Sequence, residues 1–165
     1  MKRHKKVATK GIQEIFNVEI DGESYTNYTE LLREEMVERL PDTFFPSLFQ
    51  QYIDKEFDIR AFFIDGKAYA AAIFSQLDRQ TRIDFRKYNY RVPNRIDPFI
   101  LPSAVSEAIA MLLASLDLRT ASIDLVFGKS NKYYLLDINP VGQYGFISEA
   151  CNYNLYREIA KCLMK

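Results

Sequence analysis

The stretch Tyr133 to Gly145, YYLLDINPVGQYG, decides how this chain is read. An apolar run ends in Asp137-Ile138-Asn139, and Pro140 and Gly142 stop it. At strand spacing Asp137 and Asn139 point to one side and Ile138 to the other. Two oxygen-bearing side chains at the end of a buried strand are costly unless something binds them. A hard metal ion carrying phosphate is one such ligand. A polar strand end running into a turn is the plainer alternative, and so short a motif leaves both open.

Upstream, Ala121 to Phe127 reads as an apolar strand interrupted by Asp124, and Lys129 to Lys132 turns the chain into the opening stretch. Strands joined by so short a turn are antiparallel neighbours, so Asp124, Asp137 and Asn139 are expected to converge. Three oxygen donors suit Mg²⁺, which takes one or two carboxylates and otherwise prefers water and phosphate oxygens. The alternative for Asp124 is a cap or salt bridge within the sheet. Bound phosphates need cations, and Lys10 beside Gly11, Arg60 and Arg86 are the candidates. Lysine acts on phosphate as a point charge, arginine as a planar fork. Each alone is the pattern of a surface cation. The sequence has neither standard Gly-rich phosphate loop nor a Ser/His/Asp triad. Its one histidine is His4, in the basic start, which argues against His-based acid–base chemistry.

Taken in order, Lys6 to Phe16 reads as a strand or strand pair with Val7, Ile12, Ile15 and Phe16 apolar. Val18–Ile20 and Tyr25–Thr29 flank Asp21-Gly22, a type I′ hairpin signal. Leu31 to Leu40 predicts a short helix through Leu32, Met36, Val37 and Leu40. Phe44-Phe45-Pro46 is an aromatic turn, and Leu48 to Ile53 a strand. Phe57–Ile64, Asp65-Gly66 and Lys67–Phe74 make the clearest hairpin, with Ile59, Ala61 and Phe63 alternating with Asp58, Arg60 and Phe62. Ser75 to Asn94 is a long polar and aromatic connection, a length that marks functional loops. Pro102 opens a helix with a buried stripe of Val105, Ile109, Leu112 and Leu116. Leu155, Ile159 and Leu163 predict a final helix capped by Asn152 or Asn154. The pattern is α+β with mostly antiparallel sheets.

The 165 residues, 48% hydrophobic, suit one compact domain or two small lobes sharing a cleft. Lys+Arg and Asp+Glu both total 22, so net charge argues for neither nucleic acid nor an acidic membrane. The basic run Met1 to Lys6 reads as a solvated terminus or the edge of a longer protein. Cys151 and Cys162 form no CxxC pair, which removes a zinc signature and points to reduced thiols in the cytoplasm. No apolar run reaches membrane-spanning length, and there is no signal-peptide core.

The run from Asp124 to Gln143 resembles the C-terminal half of the ATP-grasp fold (the glutathione synthetase ATP-binding type), in which an acid on one strand and an acid-x-Asn pair on the next hold magnesium. The family more often has Glu where Asp137 stands. Phe49 to Arg60, FQQYIDKEFDIR, resembles the hinge strand and the strand after it. The resemblance implies that Gln50, Gln51, Tyr52 and Ile53 read the adenine edge, that Glu56 binds the ribose, and that Leu136 packs on the base. It puts Lys10 on phosphate before a mobile loop. Asp84-Phe85-Arg86 is similar to the element of the peptide- and protein-modifying branch, which implies that Arg86 holds the transferred phosphate or the acyl phosphate; Arg60, on the polar face of the central hairpin, is the second candidate catalytic cation. With SQLDRQTRIDFRKYNYRVPNRIDPFILP, SIDL and CNYNL, the whole is similar to the grasp-with-spasm, microviridin-type peptide maturases.

That resemblance implies ATP and Mg²⁺ as cofactors and a ribosomal precursor peptide as substrate. Its side-chain carboxylates would become acyl phosphates and then esters or amides. Alternatives are a protein or glutamate ligase and a non-catalytic fragment that binds a peptide or partner. Residues 1–53 would form the small subdomain ending at the hinge, and 54–165 the large one with the metal. The family's N-terminal lobe is absent from this chain, so a homo-oligomer or a separate lobe is an expected partner.

Overall fold

The structure is a computed structural model that describes residues 6–12, 17–44 and 46–164. Two antiparallel sheets organise it. The smaller has the order β4-β1-β5, from β1 (Val7–Gly11), β4 (Glu30–Leu32) and β5 (Ser47–Gln51). The larger has the order β10-β9-β6-β7-β8, from β6 (Lys55–Ile64), β7 (Lys67–Ile73), β8 (Ile96–Phe99), β9 (Thr120–Gly128) and β10 (Tyr133–Asn139). A separate ribbon pairs β2 (Asn17–Ile20) with β3 (Glu23–Thr26). The class is α+β, as the pattern of hairpins and isolated helices required.

Alternation along β6 explains the layers. Ile59, Ala61 and Phe63 pack with Ile123, Leu125 and with Ile109 and Leu113 of α2 (Ser103–Ser115). Phe62 and Ile64 point the other way. They meet Ile147 of α3 (Gly145–Ala150) and Leu155 and Cys162 of α4 (Leu155–Leu163). Both faces are covered there, so Phe62 is a second core and not a polar-face residue. Asp58, Arg60 and Asp124 share the Phe62 face and line the clefts described below. Asp65-Gly66 closes the β6–β7 turn with φ of 45° and 78°, the doubly positive pattern of a type I′ turn.

Several expectations change. Leu31 and Leu32 belong to β4, and the helix that follows, α1, is only Glu34–Glu38 with no buried residue. Ile15, Phe16, Phe45 and residues 1–5 of the basic start, His4 included, lie outside the described residues. The stripe of α2 is Val105, Ile109 and Leu113; Leu112 and Leu116 are exposed because the helix meets the sheet one residue further round. Asn154 stands at the start of α4 with φ of 51° and makes no side-chain cap; Ser148 Oγ accepts from the Leu155 N–H at 2.9 Å instead. Strand β8 and helix α3 are additions. No helix among the described residues is long and apolar enough to cross a membrane.

Gly142 is fixed by space. A Cβ there would stand 2.4 Å from Ser122 Cβ on β9, a distance no methyl tolerates. Gly142→Ala is expected to destabilise by about 2 kcal/mol through overpacking. Adding Ser122→Gly should recover part of that loss, read by urea denaturation; no recovery would place the strain elsewhere.

Candidate functional site

A cleft runs between the small sheet and the second face of the large one. Its inner part, about 110 Å³, is lined by Lys10, Gln50 to Ile53, Lys55, Asp58, Ile83 to Arg86, Asp124, Leu136 and Asp137. A wider depression of about 600 Å³ shares Lys10, Arg86, Asp124 and Asp137 with it and adds Arg60, Asn139 and Gln143. Asp124 and Asp137 are register partners across β9 and β10, and Arg60 is the partner of Asp124 on the other side. One row across three strands therefore reads Arg60, Asp124, Asp137. Asn139, opposite Ser122, is one step along the same face. Its Oδ1 accepts from the Val141 N–H at 3.0 Å.

Two β-bulges shape this row. In β10 the register shifts between Leu135 and Asp137, so Leu136 is the extra residue and lies in the cleft. In β6 it shifts between Lys55 and Phe57, so Glu56 is extra. Bulges re-aim side chains beside functional sites.

Neither protein-family models nor curated proteins match the sequence. Solved structures do match. A RiPP-associated ATP-grasp ligase of Chryseobacterium gregarium, in complex with ADP and a leader and core peptide, aligns with a TM-score of 0.84 at 24% identity; the alignment covers 94% of this chain and 46% of that one. The macrocyclase MdnC of Microcystis aeruginosa MRC, bound with precursor peptide MdnA, gives 0.72 at 25%, covering 89% and 45%. The ATP-grasp ligase PsnB, complexed with a minimal precursor, Mg and ADP, gives 0.63 at 18%, covering 92% and 43%. The chain has a partial ATP-grasp fold. It spans less than half the length of each of these ATP-grasp structures.

Within this ATP-grasp cleft the electrostatics are uneven. Arg60 Nε stands 2.7 Å from Asp124 Oδ1, yet the pair is not aligned as a hydrogen bond, and both atoms are buried without another partner. Burial pushes the Asp124 carboxyl up; Arg60 opposes this and Asp137 adds to it. Arg86 donates to both oxygens of Asp84, Nε to Oδ1 at 2.8 Å and Nη2 to Oδ2 at 2.6 Å. Asp84 also accepts the Thr29 N–H from the small-sheet side at 2.9 Å. Burial pushes Asp84 up, but the bonds and charge of Arg86 outweigh it and hold the carboxyl below its usual range. Arg86 is raised first by Asp84, with further contributions from Asp124 and Asp137.

Lys10, Gln50, Gln51, Tyr52, Ile53, Arg60, Arg86, Asp124, Leu136, Asp137 and Asn139 all line the two parts of the ATP-grasp cleft. Glu56 does not: as the extra residue of its bulge it is exposed, and Lys55 takes the inward place. The sequence reading missed Lys55. Period-two alternation puts residues 55 and 58 on opposite faces, and only the bulge brings them together. Among the described residues no three His, Cys, Asp or Glu stand together as a metal cluster. The available set is two carboxylates and one amide oxygen. Oxygen donors alone, one of them a buried carboxylate oxygen without an aligned partner, fit a hard divalent ion.

Proposed function

We propose that this chain is the nucleotide-binding and catalytic part of an ATP-grasp ligase that modifies a ribosomal precursor peptide. The observation that carries the reading is Asp124 Oδ1, buried beside Asp137, ion-paired with Arg60 but without an aligned hydrogen bond, and facing Arg86 in the cleft. Asp124, Asp137 and Asn139 would hold Mg²⁺, which supplies charge neutralisation of the nucleotide phosphates. Gln50 to Ile53 take the adenine edge and Leu136 its face, while Lys10 takes phosphate. Residues 1–53 and 54–165 act as two lobes around that nucleotide. Arg86 and Arg60 stabilise the charge on the transferred phosphoryl group.

The chemistry is a two-step condensation. A peptide carboxylate oxygen attacks the terminal phosphorus of ATP, and ADP leaves. A Ser or Thr hydroxyl or a Lys amine then attacks the acyl carbon; it loses its proton, and inorganic phosphate leaves. The peptide is left one water lighter per crosslink. The reaction belongs in the cytoplasm, with the precursor peptide as partner.

A second reading is a non-catalytic module that binds peptide, since structures of the same fold are complexes with leader or precursor peptides. The two readings separate by experiment. Mg·ATP should raise the melting temperature, since a ligand of the folded state alone stabilises it. Co-expressed precursor should lose water by mass spectrometry. No thermal shift refutes nucleotide binding; a shift with an unchanged peptide mass favours the module.

A further inference from the structure

We propose that Lys55 is a positioning residue: with Asp58 it forms a buried strut that holds the Ile83–Arg86 turn where Arg86 faces Asp124 and Asp137. This rests on the nucleotide reading above and deepens it.

The strut begins with the bulge at Glu56, which turns Lys55 to the face of Asp58. Both are almost fully buried, Lys55 5% and Asp58 4% exposed. Lys55 Nζ donates to Asp58 Oδ1 at 2.6 Å and to the Ile83 carbonyl at 3.2 Å. Ser75 Oγ donates to Asp58 Oδ2. Thr81 Oγ1, fully buried, bonds the Ser75 carbonyl and Asn94 Oδ1, each at 2.9 Å. One network therefore ties the start, middle and end of the 75–94 connection to β6. Burial pushes the Asp58 carboxyl up even with Lys55 against it. Taking two charges out of water is expensive, and a well-packed apolar pair stabilises a fold as well or better. Stability alone does not account for the pair. What an apolar pair cannot do is grip the Ile83 carbonyl, one residue before Asp84 and its partner Arg86.

The test uses the chain of 165 residues as it stands. Lys55→Met leaves Asp58 buried without its cation, so Lys55→Met/Asp58→Asn accompanies it to keep the fold neutral and intact. Amide hydrogen exchange over residues 79–88 is expected to quicken about tenfold or more in both variants, with β9 unchanged. Affinity for Mg²⁺ with the non-hydrolysable analogue AMPPNP, by calorimetry, is expected to fall about tenfold in both. In an Arg86→Leu background, Lys55→Met should cost no further affinity, because its effect passes through Arg86. Full protection over 79–88, uniform loss across the chain, or additive affinity losses would each overturn the strut. Wild-type chain that binds no AMPPNP refutes the nucleotide reading instead, and the exchange result still decides the strut.

Discussion

Asp124→Asn is expected to remove most of the thermal shift that the nucleotide reading predicts for Mg·ATP in this chain. At a ligand concentration of about 100 Kd, binding to the folded state alone contributes about 2.7 kcal/mol. For a chain of this size that is about 5–10 °C. A hundredfold loss of affinity on removing one carboxylate ligand leaves about 0.4 kcal/mol, or about 1–2 °C. The variant suits the test because the wild-type charge is a burden without its ion. Burial raises the folded-state pKa of Asp124 above its ordinary 3.8. A group raised in this way contributes stability below its unfolded pKa, and that contribution is lost as pH rises through the folded value. The ion needs the charged form, so the wild-type Mg·ATP shift should grow as pH rises from about 4 toward neutrality. Scanning fluorimetry of wild type and variant across that range checks both statements. A full shift in the variant would mean that the nucleotide is held without this carboxylate.

Asp84→Asn should be the most damaging single change to the joint between the sheets. Asp84 is 6% exposed and accepts from Thr29 N, Arg86 Nε, Arg86 Nη2 and the Arg86 N–H. An amide offers one acceptor oxygen where these donors need two, and its NH₂ then faces a donor. Breaking a buried charge pair costs about 3–5 kcal/mol. The Arg86 side chain is 34% exposed, so water recovers part of this, and a loss of about 2–3 kcal/mol is expected. The pH sign is opposite to that of Asp124. Asp84 is lowered below 3.8 in the folded state, so its stabilisation is present above that value and lost as pH falls through the folded pKa. The variant should lack that part of the acid limb. Urea denaturation at neutral pH and below pH 4 measures the difference. A neutral-pH loss below about 1 kcal/mol would show that Thr29 and Arg86 are held by other means.

How much of this was legible in the chain depends on periodicity. Asp-Gly pairs marked two hairpins because their doubly positive φ is a local requirement. The convergence of Asp124 and Asp137 followed from two strands and a short turn. Strand β8 was not legible: Pro98 breaks the signal, and its place at the sheet edge, where no partner needs its missing N–H, shows only in three dimensions. The stripe of α2 slipped by one residue because Leu112, Leu113 and Leu116 are equally apolar, and only the sheet selects among them. The cap of α4 was assigned to a neighbouring asparagine, whereas Ser148 comes from the preceding helix. The Lys55–Asp58 pair was hidden for a stricter reason. Its spacing contradicts strand alternation unless one residue is left over.

Those two leftover residues behave as frameshifts in a two-letter code. A strand writes inward and outward by turns, and each extra residue inverts every letter on one side of it. Removing Glu56 would change no core side chain, yet it would send Lys55 to the opposite face while Asp58 stayed in place. Removing Leu136 would do the same to the half of β10 before it, with Asp137 unmoved. Length at these two points, more than residue type, is therefore what this chain has to keep.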